Sequence, residues 1–263
     1  MKLSCQEHLL PGDGILEKWE FARGAGFDGI ELRGTGDWNG RLDEFREARE
    51  RGAVFSSVCL ISDRFIGDFD PEIRREATDH MKDLLSGIAE LGGTGAVTPA
   101  AYGLASKRLP PFTVPRTEEE DRRVLLEALA ELGEHAGREG TLVLLEPLNR
   151  YEDHMLNRVD QAVELCKAVG RPSVKVMGDL FHMNIEEDDL GGSIRAAGDY
   201  LAHVHLADSS RLQPGTAHTD FAGAFAALRE IGFGGYMAME CGIRGNPEEA
   251  LPESVRHLRS LME

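Results

Sequence analysis

Residues 142–150 read LVLLEPLNR: four apolar side chains in a row, then Glu146, then a proline that ends any strand. The same grammar returns three times downstream, in VKVMGDLFHMN (174–184), AHVHLADSSR (202–211) and YMAMECGIRG (236–245). Each is an apolar run of strand length that stops at a residue able to hold a divalent cation: Glu146, Asp179, His205 or Glu240. Helical-looking sequence separates one run from the next. Strands apolar on both faces belong where helices cover one side and a core fills the other. Parallel strands joined by helices bring their carboxyl ends to one face, so the four residues are expected to converge although far apart in sequence.

Working outward, the rhythm gives eight strands, most followed by an amphipathic helix. The strands are KLSCQEHLL (2–10), FDGIELRG (27–34), AVFSSVCLI (53–61), GAVTPA (95–100), TLVLLEPL (141–148), SVKVMGDL (173–180), LAHVHLAD (201–208) and GGYMAMECG (234–242). Helices are expected over 14–24, 40–51, 70–91, 117–139, 157–169, 187–197, 219–231 and 247–262. Several end at a glycine placed to take a left-handed cap, such as Gly52 and Gly170. Eight alternations in 263 residues, near the roughly 250 usual for this architecture, specify a single-domain (β/α)8 TIM barrel over 1–263. A doubly wound sheet is disfavoured because no glycine-rich turn follows the first strand.

Composition narrows the class. No apolar run approaches the about 20 residues that cross a bilayer, and MKLSCQEHLLPGDG does not read as a signal peptide. Cys5, Cys59, Cys166 and Cys241 lack paired spacing, which fits free thiols in the cytoplasm. A net charge of −17 argues against nucleic-acid binding and serves solubility. The stretch 99–116, PAAYGLASKRLPPFTVPR, is long and proline-rich for a connection. It reads either as a surface insertion or as a lid over the pocket.

Strand alternation tests the four residues. If Glu146 points inward, so do Leu144 and Leu142. With Asp179 go Met177 and Lys175, with His205 go His203 and Leu201, and with Glu240 go Ala238 and Tyr236. Each candidate is the last inward residue of its strand, at the end where barrel enzymes build their sites. Three carboxylates and one imidazole form a hard donor set for one cation. His203 is expected either to support a ligand or to sit as a core group, and Glu31 either to support a ligand or to pair with a buried arginine. His8 and Trp38 either line the pocket or pack.

The segments EPLNRYEDHMLN, GDLFHMNIEE, HVHLADSSRLQPG and MECGIRG resemble the signatures of the sugar isomerase and epimerase barrels akin to xylose isomerase, within them the D-tagatose 3-epimerase (D-psicose 3-epimerase) group. The likeness is strong over 140–246 and weaker over 1–138. It implies that Glu146, Asp179, His205 and Glu240 bind Mn²⁺, Co²⁺ or Mg²⁺, and that Glu146 and Glu240 are the catalytic proton-transfer pair. It also implies that Glu152, His182 and Arg211 contact the carbonyl end of a small sugar, and that homodimers or homotetramers are common. One departure is Ala217 in PGTAHTDF, where the group often has glycine, which bears on the local loop geometry.

The chemistry also follows from the residues. Removing a proton beside a carbonyl builds charge on its oxygen, which a cation stabilises. Two glutamates on opposite faces of a bound ketose could remove and return that proton, inverting the carbon; return to the adjacent carbon would give an aldose–ketose shift. A lyase or dehydratase on a keto sugar or inosose, or a hydroxypyruvate isomerase-like activity, would use the same parts. A Schiff-base aldolase lacks its lysine, since Lys175 sits at the far end of its strand. A multi-zinc DNA-repair nuclease would need more histidines and a basic groove. The intact glutamate pair argues against a barrel that only binds sugar.

Overall fold

The computed structural model describes residues 1–262. Eight parallel strands close into a barrel in chain order: β1 (Lys2–Gln6), β2 (Gly29–Gly34), β3 (Phe55–Leu60), β4 (Gly95–Pro99), β5 (Leu142–Glu146), β6 (Val174–Asp179), β7 (Leu201–Leu206) and β8 (Tyr236–Met239). β1 pairs with β8 from Lys2–Tyr236 to Cys5–Met239, which completes the ring. Among the described residues nine helices surround it: α1 (Ile15–Ala25), α2 (Trp38–Glu50), α3 (Pro71–Glu90), α4 (Glu118–Glu139), α5 (Val159–Val169), α6 (Leu180–Glu186), α7 (Leu190–Ala197), α8 (Phe221–Glu230) and α9 (Pro247–Met262). The barrel is the fold that the alternation of strand and helix specifies. No described helix is long and apolar enough to cross a membrane.

Local chemistry explains the helix ends. Thr117 and Glu120 make a reciprocal capping box at the start of α4, and Asp70 with Pro71 opens α3. Gly140 and Gly170 close α4 and α5 in the left-handed region, at φ 72° and 65°.

The short helix α6 is the element the sequence pattern hides. The expected strand over 173–180 and helix over 187–197 leave 181–186 between them, and LFHM there continues the apolar run of β6. Asp179 ends the strand and caps the helix at once, accepting from the amide of Phe181 at 2.7 Å. Strand one is also shorter than expected, since Glu7–Leu9 turns into a single 3-10 turn.

The barrel interior is a small layer of Cys59, Val97, Leu144 and Met177, distinct from the larger core between strands and helices. Leu144 and Met177 therefore face inward as alternation requires. Leu201 does not: a register shift between Val176 and Met177 places it in the outer core, and Ala202 packs inside instead. Lys175 leaves through the amino-terminal end of the barrel, where its Nζ donates to the carbonyl of Asp199 at 2.8 Å. Trp38 is core, with its ring 5.3 Å from Phe45 and its Nε1 donating to the carbonyl of Asp83.

β4 and β5 approach closely at Gly95, where an added Cβ would lie 2.2 Å from the carbonyl oxygen of Leu142. Gly95→Ala is therefore expected to cost about 1–3 kcal/mol of unfolding free energy, the usual range for forced overpacking. Urea denaturation of the variant against the parent measures this.

Candidate functional site

The four strand-end residues meet. One donor atom each from Glu146, Asp179, His205 and Glu240 lies within 4.8 Å of all the others. Glu146 and Asp179 are the last residues of β5 and β6, and His205 is the last but one of β7. Glu240 stands one step past β8, with its amide still bonded to the carbonyl of Leu206. Asp179 and His205 are fully buried and Glu146 nearly so, while Glu240 keeps 20% of its side chain exposed.

His205 Nδ1 lies 3.2 Å from Glu240 Oε2 and 3.6 Å from Glu146 Oε1. Both His205 Nδ1 and Glu146 Oε1 are buried and, among the described residues, have no hydrogen-bond partner. Unpaired donors and acceptors are costly inside a protein, so two of them facing one point ask for a further group. Three oxygens and one imidazole nitrogen suit a divalent cation of intermediate hardness. The donor set therefore fits one metal ion.

Arg211 is the positive charge the chain itself supplies. Its Nη1 donates to Asp179 Oδ2 and its Nη2 to Glu240 Oε2, both at 2.5 Å, while its guanidinium lies over the Phe181 ring. Burial disfavours charge on Glu240 and Asp179, but the charges of His205 and Arg211 override it. Both carboxyls are held below the usual carboxylate range, Glu240 well below. Glu146 goes the other way, because burial outweighs its contact with His205 and raises it. His205 would be lowered by burial, yet Glu31 and Glu240 hold it well above an ordinary histidine.

Arg211 reaches this position through an unusual turn. It is the one described non-glycine residue with positive φ, 57°. Asp208 builds the turn: its carboxylate accepts amides of Ser209, Gly215, Thr216, Ala217 and Thr219 at 2.8–3.1 Å. Ala217 enters through its backbone amide and lies outside the positive-φ region, so the alanine in PGTAHTDF fits without strain. Asp208 escaped notice in the sequence because a lone aspartate after a strand reads as an ordinary loop residue.

Above the cluster a cavity of about 540 Å³ opens, within the range of small-molecule pockets. Glu152, His182, Arg211, Glu146 and Glu240 share its wall with Ile61, Phe65, Tyr102, Leu148 and Phe181. His182 Nδ1 accepts from the backbone amide of Asn149 at 3.2 Å, with the Asn149 side-chain amide at 2.8 Å. The ring proton therefore sits on Nε2, 3.9 Å from Glu152 and 3.7 Å from Asp179. Asn149, within PLNR, is a second residue that sequence reading passed over. Of the two readings of 99–116, Tyr102 alone of that stretch's loop lines the cavity, and Leu109 is 85% exposed. The root of the segment is wall and its tip is surface. His8 and Trp38 do not line the cavity.

Residues 19–261 match the family described as the xylose isomerase-like TIM barrel. The 3-dehydro-D-guloside 4-epimerase of Escherichia coli K12 is 39% identical over 262 residues, 99% of this chain and all of that protein. A D-psicose 3-epimerase of Enterocloster bolteae is 35% identical over 227 residues, 82% of this chain and 72% of that one. Among solved structures, the apo 3-keto-D-glucoside 4-epimerase of E. coli superposes with a TM-score of 0.93 at 39% identity, covering 99% of both chains.

The Asp208 turn generates a test. Multiple amide bonds hold the Asp208 carboxyl below its ordinary range against burial. A depressed acid stabilises the fold above its unfolded pKa of about 3.9, and that contribution is lost as pH falls through the folded value. Asp208→Asn is expected to lose about 1–3 kcal/mol at pH 7 from unsatisfied amides. It should also show a shallower stability decline than the parent between about pH 5 and pH 3. Urea titrations across that range check both.

Proposed function

The chain belongs to the xylose isomerase-like TIM barrel family, and from that premise we propose that it is a metal-dependent epimerase of a keto sugar, inverting the carbon beside the carbonyl. The observation that carries the reading is the convergence of Glu146, Asp179, His205 and Glu240 on one point, with two unpartnered atoms facing it. The substrate we favour is a 3-keto glycoside inverted at C4. The 4-epimerase relative matches the full length of both chains, whereas the D-psicose 3-epimerase matches part of each. Inversion at C3 of a small ketose, expected from sequence beside an aldose–ketose shift, is the second reading. Both use the same step.

Glu146, Asp179, His205 and Glu240 would hold one divalent cation, Mn²⁺ in preference to Co²⁺ or Mg²⁺, which would supply Lewis acidity to offset charge building on the carbonyl oxygen. The protein does the rest. Glu146 from β5 and Glu240 from β8 flank the cavity, so one carboxylate takes the proton and the other returns one to the opposite face. His182 offers its Nε2–H, and Arg211 its guanidinium, to the developing oxyanion. Glu152, 3.9 Å from His182 Nε2, is placed to accept from a sugar hydroxyl. The leucine, isoleucine and phenylalanine wall excludes water from the reacting carbon.

The remaining parts of the proposal are coarser. One domain spans 1–263, consistent with the single closed barrel. Four buried free thiols support a reducing, cytoplasmic setting. The exposed Leu109 and Tyr151 support self-association, as a homodimer or homotetramer.

Three measurements test the function. A 3-keto glycoside incubated with enzyme and Mn²⁺ in D₂O should return its 4-epimer carrying deuterium at C4; deuterium at another carbon or a product of changed composition sinks the favoured reading. Glu146→Gln and Glu240→Gln should each lower kcat by about 10²–10⁴-fold with an unchanged circular dichroism spectrum. Chelation should abolish turnover and added Mn²⁺ should restore it.

A further inference from the structure

Below the cation site lies a second layer of polar groups to which the proposed mechanism gives no task. Glu31, on β2, is fully buried at the centre of the barrel. Its Oε1 accepts from Gln6 Nε2 at 3.0 Å and stands 2.9 Å from His205 Nε2. Its Oε2 accepts from Ser57 Oγ at 2.7 Å and from His203 Nε2 at 2.9 Å. Among the described residues no arginine reaches it. Three hydrogen-bond donors, with His205 Nε2 in close contact as a fourth neighbour, surround one carboxylate.

Gln6, on β1, spends its second amide proton on Glu240 Oε1, again at 3.0 Å. One nitrogen thus ties the buried carboxylate to a candidate metal ligand. The opposite oxygen, Glu240 Oε2, is the one turned toward His205 Nδ1.

We infer that Glu31 and Gln6 are positioning residues that set the donor atoms of the cation site: Glu31 fixes the tautomer of His205, and Gln6 fixes the rotation of Glu240. A bare nitrogen lone pair 2.9 Å from a carboxylate oxygen is repelled, so the proton sits on His205 Nε2. With Nε2 committed to Glu31, Nδ1, the atom facing Glu146 and Glu240, is the one ring nitrogen available to a cation. Glu240 is held in a similar way: Oε1 accepts from Gln6, which turns Oε2, the oxygen that Arg211 also reaches, toward the site.

Glu31, His203 and His205 also approach closely enough to resemble a second ion site. The hydrogen bonding excludes that use. Both imidazoles turn Nε2 toward Glu31, and neither keeps a lone pair on that atom. His203 is instead a second donor that helps keep Glu31 ionised in a dry place.

The inference rests on the metal-dependent reading, and its test separates the two. Metal-stripped protein is titrated with Mn²⁺ alone, reading the dissociation constant by calorimetry and the apo Tm beside it. Glu31→Gln should weaken Mn²⁺ binding roughly 10- to 100-fold, the usual effect of removing an outer partner of a metal ligand. Ser57→Ala removes a donor to Glu31 without touching His205 or Glu240, so it should lower the apo Tm and leave the Mn²⁺ constant unchanged. Equal Mn²⁺ affinity in Glu31→Gln and parent overturns the inference, as does equal weakening by Ser57→Ala. If Glu31→Gln does not fold, Gln6→Met decides, weakened binding supporting the assignment and unchanged binding refuting it. A parent chain that takes up no Mn²⁺ overturns the functional reading, and this inference with it.

Discussion

Four carboxylates, Glu31, Glu146, Asp179 and Glu240, share the carboxyl end and middle of one barrel. Ionised acids in a desolvated space repel one another, and each loses hydration that the protein must replace. The surroundings answer residue by residue. Glu31 receives three hydrogen bonds and the close approach of His205 Nε2. Asp179 receives the amides that open α6 together with Arg211, and Glu240 receives Gln6 and Arg211. Glu146 receives least, which is why burial raises its affinity for a proton. The four donor atoms gathered at that place could hold one metal ion, whose charge would complete this balance.

The same constraint accounts for features that otherwise look unrelated. Arg211 sits at positive φ because a guanidinium is needed where two carboxylates meet. The turn that puts it there is stabilised by Asp208 from below, through five backbone amides. A carboxylate outside the site thus indirectly supports the charge balance inside it. Cys59 belongs to the same region, with its sulfur 3.8 Å from Glu240 Oε1. Burial and then the neighbouring Glu240 charge push its thiol up, so it stays protonated and adds no further negative charge.

The fold was legible in the sequence because it rests on repetition: eight apolar runs, each ended by a polar or glycine signal, leave few architectures open. The gathering of Glu146, Asp179, His205 and Glu240 was legible for the same reason, since strand ends share a face and alternation gives inward parity. Two kinds of feature were not. Alternation fails wherever a register shift intervenes, so Leu201 was assigned inward and lies outward. Residues that act through backbone amides leave no periodic trace, so Asp208, Asn149 and Gln6 read as unremarkable polar positions. α6 was hidden because Asp179 ends a strand and caps a helix at once, and LFHM suits either.

The substrate question turns on the cavity wall rather than on the cation site. In the proposed reaction the charged floor would engage only the carbonyl, its neighbouring oxygen and one carbon-bound hydrogen, which any α-hydroxy ketone offers. Discrimination between a free ketose and a keto glycoside must come from what surrounds the rest of the molecule. Here that surface is Ile61, Phe65, Tyr102, Leu148 and Phe181, drawn from the loops after β3, β4 and β5 and from α6. Those loops are the variable part of any barrel, while the strands beneath hold the chemistry. Relatives that invert different carbons can therefore share one floor, because moving the sugar by one carbon over fixed glutamates changes which position is inverted without altering how the proton is moved.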